Sequence, residues 1–201
     1  MTLDNTWMHA QDRAKKAGRI LGEVLEKRVQ GERPVVLVCK ADLAYADTQI
    51  GSSLGSLTVL HALQYLASLP APPPSQGPVP AYVESAYLIS LPAVPSEDEW
   101  AKCRSVVARR LVNAWSSADF VLAGVVRSVA LRYPVLQLKI LTRLHEVVSR
   151  ATTLQSGIGV AGLGPVARPG VQDVDVSSVL RGHMELQTKM ADVLRVIDLD
   201  A

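Results

Sequence analysis

The residues whose types and spacing could do chemistry are basic side chains between positions 102 and 150. Residues 101–150 hold nine basic and two acidic residues, a net charge of +7 in a chain whose total is +2. Positive charge segregated in this way attracts phosphate polymers and anionic lipid headgroups. We therefore predict an electrostatic lipid- or RNA-binding face, made by Lys102, Arg109, Arg110, Arg132, Lys139, Arg143 and Arg150.

Predicted helices position these basic side chains. Ser96 followed by Glu99 fits a capping box, which predicts a helix starting at about residue 97 and running to 115. Helical spacing places Lys102, Arg109 and Arg110 opposite its apolar face. The other four fall at offsets of 7, 4 and 7, which predicts a single stripe on later helices. An external anion or an acidic neighbouring subunit would offset the repulsion within that stripe.

Other side chains show no spacing typical of catalysis. Four histidines are scattered, and Cys39 and Cys103 are far apart, so we predict no metal site. The stretch GIGVAGLG lacks the strand–turn–helix context of a dinucleotide loop. We also expect neither a Walker-type lysine nor a nucleophile elbow. The prediction is a protein that is not an enzyme and needs no cofactor.

Composition favours an all-α fold whose core is made by helices packed on helices. Aromatic residues make up 4% of the chain, so Leu, Val and Ala must fill the core. Residues 35–43 and 81–90 are short apolar segments that fit either a strand or a buried helix. The predicted organisation is an N-terminal helical subdomain (1–90), a basic helical subdomain (96–155), a Gly/Pro-rich linker or loop (156–176) and a C-terminal helix (177–201).

The N-terminal segment is polar and basic where a signal peptide would be apolar. No apolar run approaches the ~20 residues that span a bilayer. We therefore expect a protein that is neither secreted through a signal peptide nor integral in a membrane. Peripheral contact with a membrane stays open.

The order of several motifs resembles a known family. ALQYLASLP, then AYLISL, then VPSE capping a helix with VARRLVNAW is similar to the N-terminal half of the influenza-like orthomyxovirus matrix protein, over roughly residues 57–115. The stretch HMELQTKMADVLRVI faintly resembles its C-terminal region. One departure is that the basic residues here form a spaced stripe, whereas the family has a consecutive run.

The resemblance implies an all-helical viral matrix protein, built of two small helical bundles in series, that forms a homo-oligomeric layer beneath the envelope. Its implied partners are anionic lipid and the viral ribonucleoprotein. The implied location is the inner face of the virion envelope and, in the host cell, the cytoplasm, a membrane or the nucleus. Two alternatives remain on residue grounds: an RNA-binding nucleoprotein or regulator, and a helical adaptor that docks protein partners.

Overall fold

A computed structural model describes residues 3–38, 51–70, 81–120, 122–124 and 160–199. These residues form a parallel sheet flanked by helices, so the predicted all-α fold is wrong and the chain is an α/β protein. The elements in chain order are α1 Leu3–Glu26, β1 Val35–Val38, α2 Gly51–Ala67, β2 Val83–Ile89, α3 Glu97–Ser105, β3 Leu111–Trp115, β4 Val171–Asp175 and α4 Leu186–Ile197.

The four strands pair in sequence order, and each pair is parallel. Val38 lies opposite Tyr87, Ile89 opposite Ala114, and Trp115 opposite Asp175. All four strands therefore end on the same side of the sheet, which we call the carboxyl edge. In open parallel sheets this edge is where ligands and reacting groups are usually found.

Burial on both faces explains why the apolar segments of β2 and β3 are strands. Five consecutive residues of β2, from Ser85 to Ile89, are buried, as are the first four of β3. A parallel strand covered on both faces carries a near-continuous apolar run rather than an alternating one. The two segments that fit either a strand or a helix, 35–43 and 81–90, thus contain β1 and β2.

The predicted helix over 97–115 is half right. Its capping box is confirmed: Glu99 N donates to Ser96 Oγ at 3.3 Å, and Ser96 N donates to Glu99 Oε2 at 2.5 Å. The helix, however, ends at Ser105, and Leu111–Trp115 is a strand. The physical reason is tertiary, because this segment is buried between β2 and β4, where its paired strands satisfy the backbone hydrogen bonds.

Helices α1 and α2 pack closely through two glycines. A Cβ added to Gly18 would lie 2.5 Å from the Thr58 carbonyl oxygen and 2.6 Å from His61 Cβ. A Cβ added to Gly22 would lie 2.5 Å from the Tyr65 ring. Backbones of two helices approach this closely only where one of them lacks side chains. None of the helices among the described residues is both long and apolar enough to cross a membrane.

Replacing Gly18 with alanine is expected to destabilise the protein by about 1–3 kcal/mol, because the added methyl forces the two helices apart. This cost exceeds the ~1 kcal/mol that alanine gains over glycine in helix propensity. Chemical denaturation measures the change. Gly124→Ala is the matched control, since that helical glycine has open space around its Cβ position. Equal stability of the two variants would contradict the close packing.

Candidate active site

A buried histidine–aspartate pair lies at the carboxyl edge. Asp119 follows β3 by four residues, and His183 follows β4 by eight. Asp119 Oδ2 is 2.7 Å from His183 Nδ1, and the two residues are 0% and 4% exposed. Burying a carboxylate costs free energy unless its oxygens are hydrogen-bonded, so the surrounding structure must stabilise this pair.

Hydrogen bonding fixes the orientation of both side chains. Asp119 Oδ1 accepts from Leu122 N at 2.9 Å, which leaves Oδ2 for the imidazole. A carboxylate only accepts, so the His183 Nδ1 must carry the proton. The other nitrogen, Nε2, then has a free lone pair when the ring is neutral. An imidazole held in this tautomer by a carboxylate is suited to act as a general base.

Further hydrogen bonds hold together the loops that carry the pair. Ser116 Oγ donates to the Leu180 carbonyl at 2.6 Å, and Ser117 N donates to Ser177 Oγ at 3.0 Å. Both links begin directly after β3 ends. The loops that follow β3 and β4 are therefore hydrogen-bonded to each other. These bonds align the loop that carries Asp119 with the loop that carries His183.

The first turn of α2 brings a serine motif to the same edge. Residues 51–55 read Gly-Ser-Ser-Leu-Gly, which fits the Gly-x-Ser-x-Gly pattern of a nucleophile elbow with Ser53 at its centre. Ser56 is buried, and its Oγ donates to the Ile89 carbonyl at 2.6 Å, at the end of β2.

Sequence reasoning missed this motif, although its signal was present. The pattern stands directly before an apolar helical stretch, and the β-branched run VVLV precedes it. Two physical features make the location suitable for acyl chemistry. The first amide groups of a helix have no intrahelical acceptor, and the helix dipole favours negative charge there. Oxyanions that form during acyl transfer are stabilised by such donors.

One feature departs from the pattern. In a nucleophile elbow the serine sits on a sharp turn between a strand and a helix. Here β1 ends at Val38 and α2 begins at Gly51, so residues 39–50 separate the two elements. The chain therefore departs from the pattern in the number of residues between the described strand and the helix.

Other nucleophilic or basic groups lie away from this edge. Burial raises the pKa of the Cys103 thiol to about 12, with a smaller contribution from Glu99, so this cysteine is not a thiolate at neutral pH. His61 lies on α2, where its Nδ1 is 2.8 Å from Gln64 Oε1. Burial lowers the pKa of His61, and the Gln64 bond opposes that shift. Among the described histidines, His183 is the one paired with a carboxylate.

The predicted lipid- or RNA-binding residues have different positions. Lys102 is exposed on α3, and Arg109 follows that helix and pairs with Glu84 at 3.2 Å. Arg132, Lys139, Arg143 and Arg150 lie outside the described residues. Contact of these side chains with anionic lipid or RNA, and self-association of the chain, stay predictions.

Arg110 is engaged within the protein. Its guanidinium donates to the Ile197 carbonyl at 2.9 Å, to the Asp198 carbonyl, and to Gln172 Oε1 at 3.0 Å. It also lies over the Tyr87 ring, 5.7 Å from the ring centroid. The side chain thus caps the C-terminal end of α4, where carbonyl groups lack intrahelical donors and the dipole favours a cation.

Replacing Arg110 with methionine is expected to cost about 2 kcal/mol of stability, because it removes charge-assisted hydrogen bonds to the end of α4. Lys102→Met is the matched control, since it removes the same charge from an exposed site and should change stability by less than ~0.5 kcal/mol. Denaturation midpoints of the two variants give the comparison. If both shift equally, the cap contributes nothing.

Comparison with known proteins gives the following findings. The family described as "Protein of unknown function (DUF726)" matches residues 1–149 and 143–200. The rice (Oryza sativa) transmembrane and coiled-coil domain-containing protein STS1 is 30% identical over 98% of this chain and 23% of its own length. An uncharacterized membrane protein of Schizosaccharomyces pombe is 31% identical over 96% of this chain and 26% of its own length.

A third relative carries the name of an enzyme. The Saccharomyces cerevisiae protein named probable lipase MIL1 is 26% identical over 98% of this chain and 14% of its own length. The chain thus spans about a quarter or less of the length of these curated relatives. No solved structure matches the chain.

These findings overturn the viral interpretation. The matching proteins come from plant, yeast and worm, so the resemblance to an orthomyxovirus matrix protein is wrong. The predicted matrix-layer function and the virion location fail with it, since the relatives are eukaryotic and several are named as membrane proteins. The resemblance failed because it depended on the VPSE turn, a capping signal that unrelated helices share.

Proposed function

We propose that this chain, which belongs to the DUF726 family, carries the catalytic residues of a serine hydrolase of the α/β-hydrolase type. Ser53 is the nucleophile, His183 the general base and Asp119 the acid that orients the imidazole. The observation that carries the proposal is the buried Asp119–His183 pair, 2.7 Å apart, at the edge of the sheet where α2 begins with Gly-Ser-Ser-Leu-Gly.

The order along the chain supports the assignment. In α/β-hydrolases the nucleophile comes first, the acid second and the histidine last. Ser53, Asp119 and His183 follow that order, and each comes after a different strand of one parallel sheet. The proposal does not rest on any single motif, because Gly-x-Ser-x-Gly alone is common, whereas a buried carboxylate–imidazole pair on the same edge is not.

The first half-reaction follows from these roles. Ser53 Oγ attacks an acyl carbonyl carbon while His183 Nε2 takes the hydroxyl proton. Asp119 stabilises the imidazolium that results. The carbonyl π electrons move to oxygen, and the oxyanion is stabilised by amides at the start of α2 that have no intrahelical acceptor. Collapse of the tetrahedral intermediate breaks the acyl–oxygen bond, and His183 donates its proton to the leaving alkoxide.

The second half-reaction returns the enzyme to its starting state. Water attacks the acyl–Ser53 ester, and His183 Nε2 accepts a proton from that water. The carboxylic acid then leaves, and Ser53 Oγ takes the proton back from His183. Carboxylic esters are the substrate class we propose. The yeast relative named as a probable lipase supports an acyl ester as the substrate. Which alcohol and which acyl chain that ester contains depends on the whole protein, of which the described residues are one part.

Covalent labelling tests this proposal. A fluorophosphonate phosphonylates an activated serine, forming a P–O bond and releasing fluoride. We expect the chain to gain one phosphonyl group, which peptide mass spectrometry locates on Ser53. Labelling spread over several surface serines, or equal labelling of a chain that was denatured before the probe was added, would count against an activated nucleophile.

A further inference from the structure

Asn113 is a fully buried amide in the middle of β3. It is 0% exposed, and its neighbours in the strand, Val112 and Ala114, are buried and apolar. Its Nδ2 donates to Asp173 Oδ1 at 2.8 Å and to the Gly164 carbonyl at 3.2 Å. Both partners can only accept, so Nδ2 must face them, and Oδ1 has no hydrogen-bond partner among the described residues. An apolar residue of similar shape would avoid the cost of that oxygen, so what the amide contributes is the two bonds that it donates.

Asp173 lies opposite Asn113 on β4 and binds the segment of chain that precedes that strand. Its Oδ1 accepts from Val166 N at 2.9 Å, and its Oδ2 accepts from Ala167 N at 2.8 Å. Together the two side chains bind three backbone groups of residues 160–167, a segment that we call the platform.

The platform contacts the loop that carries Asp119 at both of its ends. Where the loop begins, Ser116 N donates to the Gly162 carbonyl at 3.1 Å. At the other end, Leu122 is buried against the platform, because a Cβ added to Gly162 would lie 2.8 Å from Leu122 Cδ2. Leu122 N is the group that donates to Asp119 Oδ1, at 2.9 Å. Gly162 therefore contacts both the start of the loop and the residue that orients the carboxylate.

The platform is attached to the rest of the sheet at two places. At the first, Gly162 N donates to the Leu91 carbonyl at 2.9 Å, and Ala161 N donates to the Ala93 carbonyl at 3.0 Å. At the second, residues 164–167 are bound by Asn113 and Asp173. Side chains make the second attachment, so substitutions can weaken it without removing the backbone bonds of the first.

We propose that Asn113 and Asp173 are positioning residues for the hydrolytic reaction. They hold the platform against the Asp119 loop, and the platform keeps Asp119 Oδ2 within hydrogen-bonding distance of His183 Nδ1. Their described bonds go to each other and to the platform, so both residues act indirectly, through the orientation of the imidazole. The effect falls on kcat rather than on substrate binding. This inference rests on the proposed serine hydrolase function.

Three variants of the complete chain test the role of the platform. Asp173→Asn replaces one acceptor oxygen with an NH₂ group, so at least one of the three N–H groups that Asp173 binds loses its acceptor. Asn113→Leu keeps a branched side chain of similar shape and removes both donated bonds. Asp192→Asn is the matched control, because this carboxylate lies on α4 and pairs there with Arg195 at 2.7 Å.

We expect Asp173→Asn and Asn113→Leu to lower kcat for a p-nitrophenyl ester about 10-fold with KM nearly unchanged, since misplacement of a reacting group by about 1 Å can cost ~10²-fold in rate. The low-field NMR signal of the Nδ1 proton between His183 and Asp119 should move upfield and broaden in both variants. Asp192→Asn should keep the wild-type kcat and signal. Both measurements are made below the melting temperature of each variant, so that loss of folded protein does not lower them.

Several outcomes would overturn the inference. A wild-type kcat in folded Asp173→Asn would show that the platform does not position the acid. A lower kcat with an unchanged NMR signal would do the same, because the Asp119–His183 pair would then be intact. If Asn113→Leu does not fold, the result for Asp173→Asn decides.

The proposed function and the role of the platform can fail separately. If Ser53→Ala is inactive while both platform variants are fully active, only the role of Asn113 and Asp173 fails. If the wild-type chain does not hydrolyse the ester, the proposed function fails, and the NMR comparison still decides whether the platform holds the pair.

Discussion

Replacing Ser53 with alanine is expected to abolish fluorophosphonate labelling and to lower ester hydrolysis by a factor of ~10³ or more, because a methyl group cannot attack the acyl carbon. The reaction requires a hydroxyl within reach of the imidazole, and the substitution removes the one assigned to it. The fold should be retained, because the change removes one oxygen from the first turn of α2. Labelling by mass spectrometry and the rate of p-nitrophenyl ester hydrolysis measure the effect.

Ser52→Ala is the matched control for this experiment. Ser52 precedes Ser53 in the same motif but occupies its variable position. We expect labelling and hydrolysis of this variant within about twofold of the wild type, as is usual for substitutions that leave the reacting groups in place. If Ser52→Ala is inactive and Ser53→Ala is active, the nucleophile has been misassigned within the motif, although the Asp119–His183 pair would still define the site.

Replacing Asp119 with asparagine is expected to lower kcat by ~10³–10⁴-fold while the protein stays folded. The amide has almost the same shape as the carboxylate, but its NH₂ group can donate a hydrogen bond to His183 Nδ1. Donation to Nδ1 favours the tautomer that carries its proton on Nε2, and the lone pair needed to accept the Ser53 proton is then absent. The imidazolium formed during the reaction would also lose its buried counter-charge.

Asp175→Asn provides the comparison for Asp119→Asn. Asp175 is an exposed residue at the end of β4, and its Oδ1 accepts from Ser177 N at 2.8 Å. We expect this variant to keep its kcat and to lose at most ~1 kcal/mol of stability. Steady-state kinetics and thermal melting of both variants distinguish the cases. Full activity in Asp119→Asn would exclude the role of the Asp119–His183 pair in proton transfer.

Local signals in the sequence determined several parts of this structure. The capping box at Ser96 and Glu99 depends on side chains three residues apart, so it could be predicted without knowledge of the fold. The N-terminal and C-terminal amphipathic helices could be predicted for the same reason, because their apolar residues recur at helical spacing. The motif at 51–55 is equally local, because it depends on five consecutive residues before an apolar helical stretch.

Other parts of the structure depend on contacts between residues that are distant in the sequence. Leu111–Trp115 continues a helical pattern in the sequence, yet it is a strand because β2 and β4 pair with it on both sides. Arg110 belongs to a run of basic residues, but its charge caps α4, which lies more than seventy positions later in the chain. Pairing partners and cap acceptors of this kind cannot be found from local periodicity.

The candidate site shows most clearly the difference between what local sequence signals predict and what contacts between distant residues determine. Asp119 and His183 are 64 positions apart, and neither stands in a short motif that marks it as catalytic. They meet because β3 and β4 run parallel and in register, so that the loops after both strands emerge at one edge of the sheet. The sequence by itself shows that Ser53 stands at the centre of a Gly-x-Ser-x-Gly pattern that precedes an apolar helical stretch. Only the tertiary structure, through the pairing of strands distant in the chain, brought the acid and the base together at that edge.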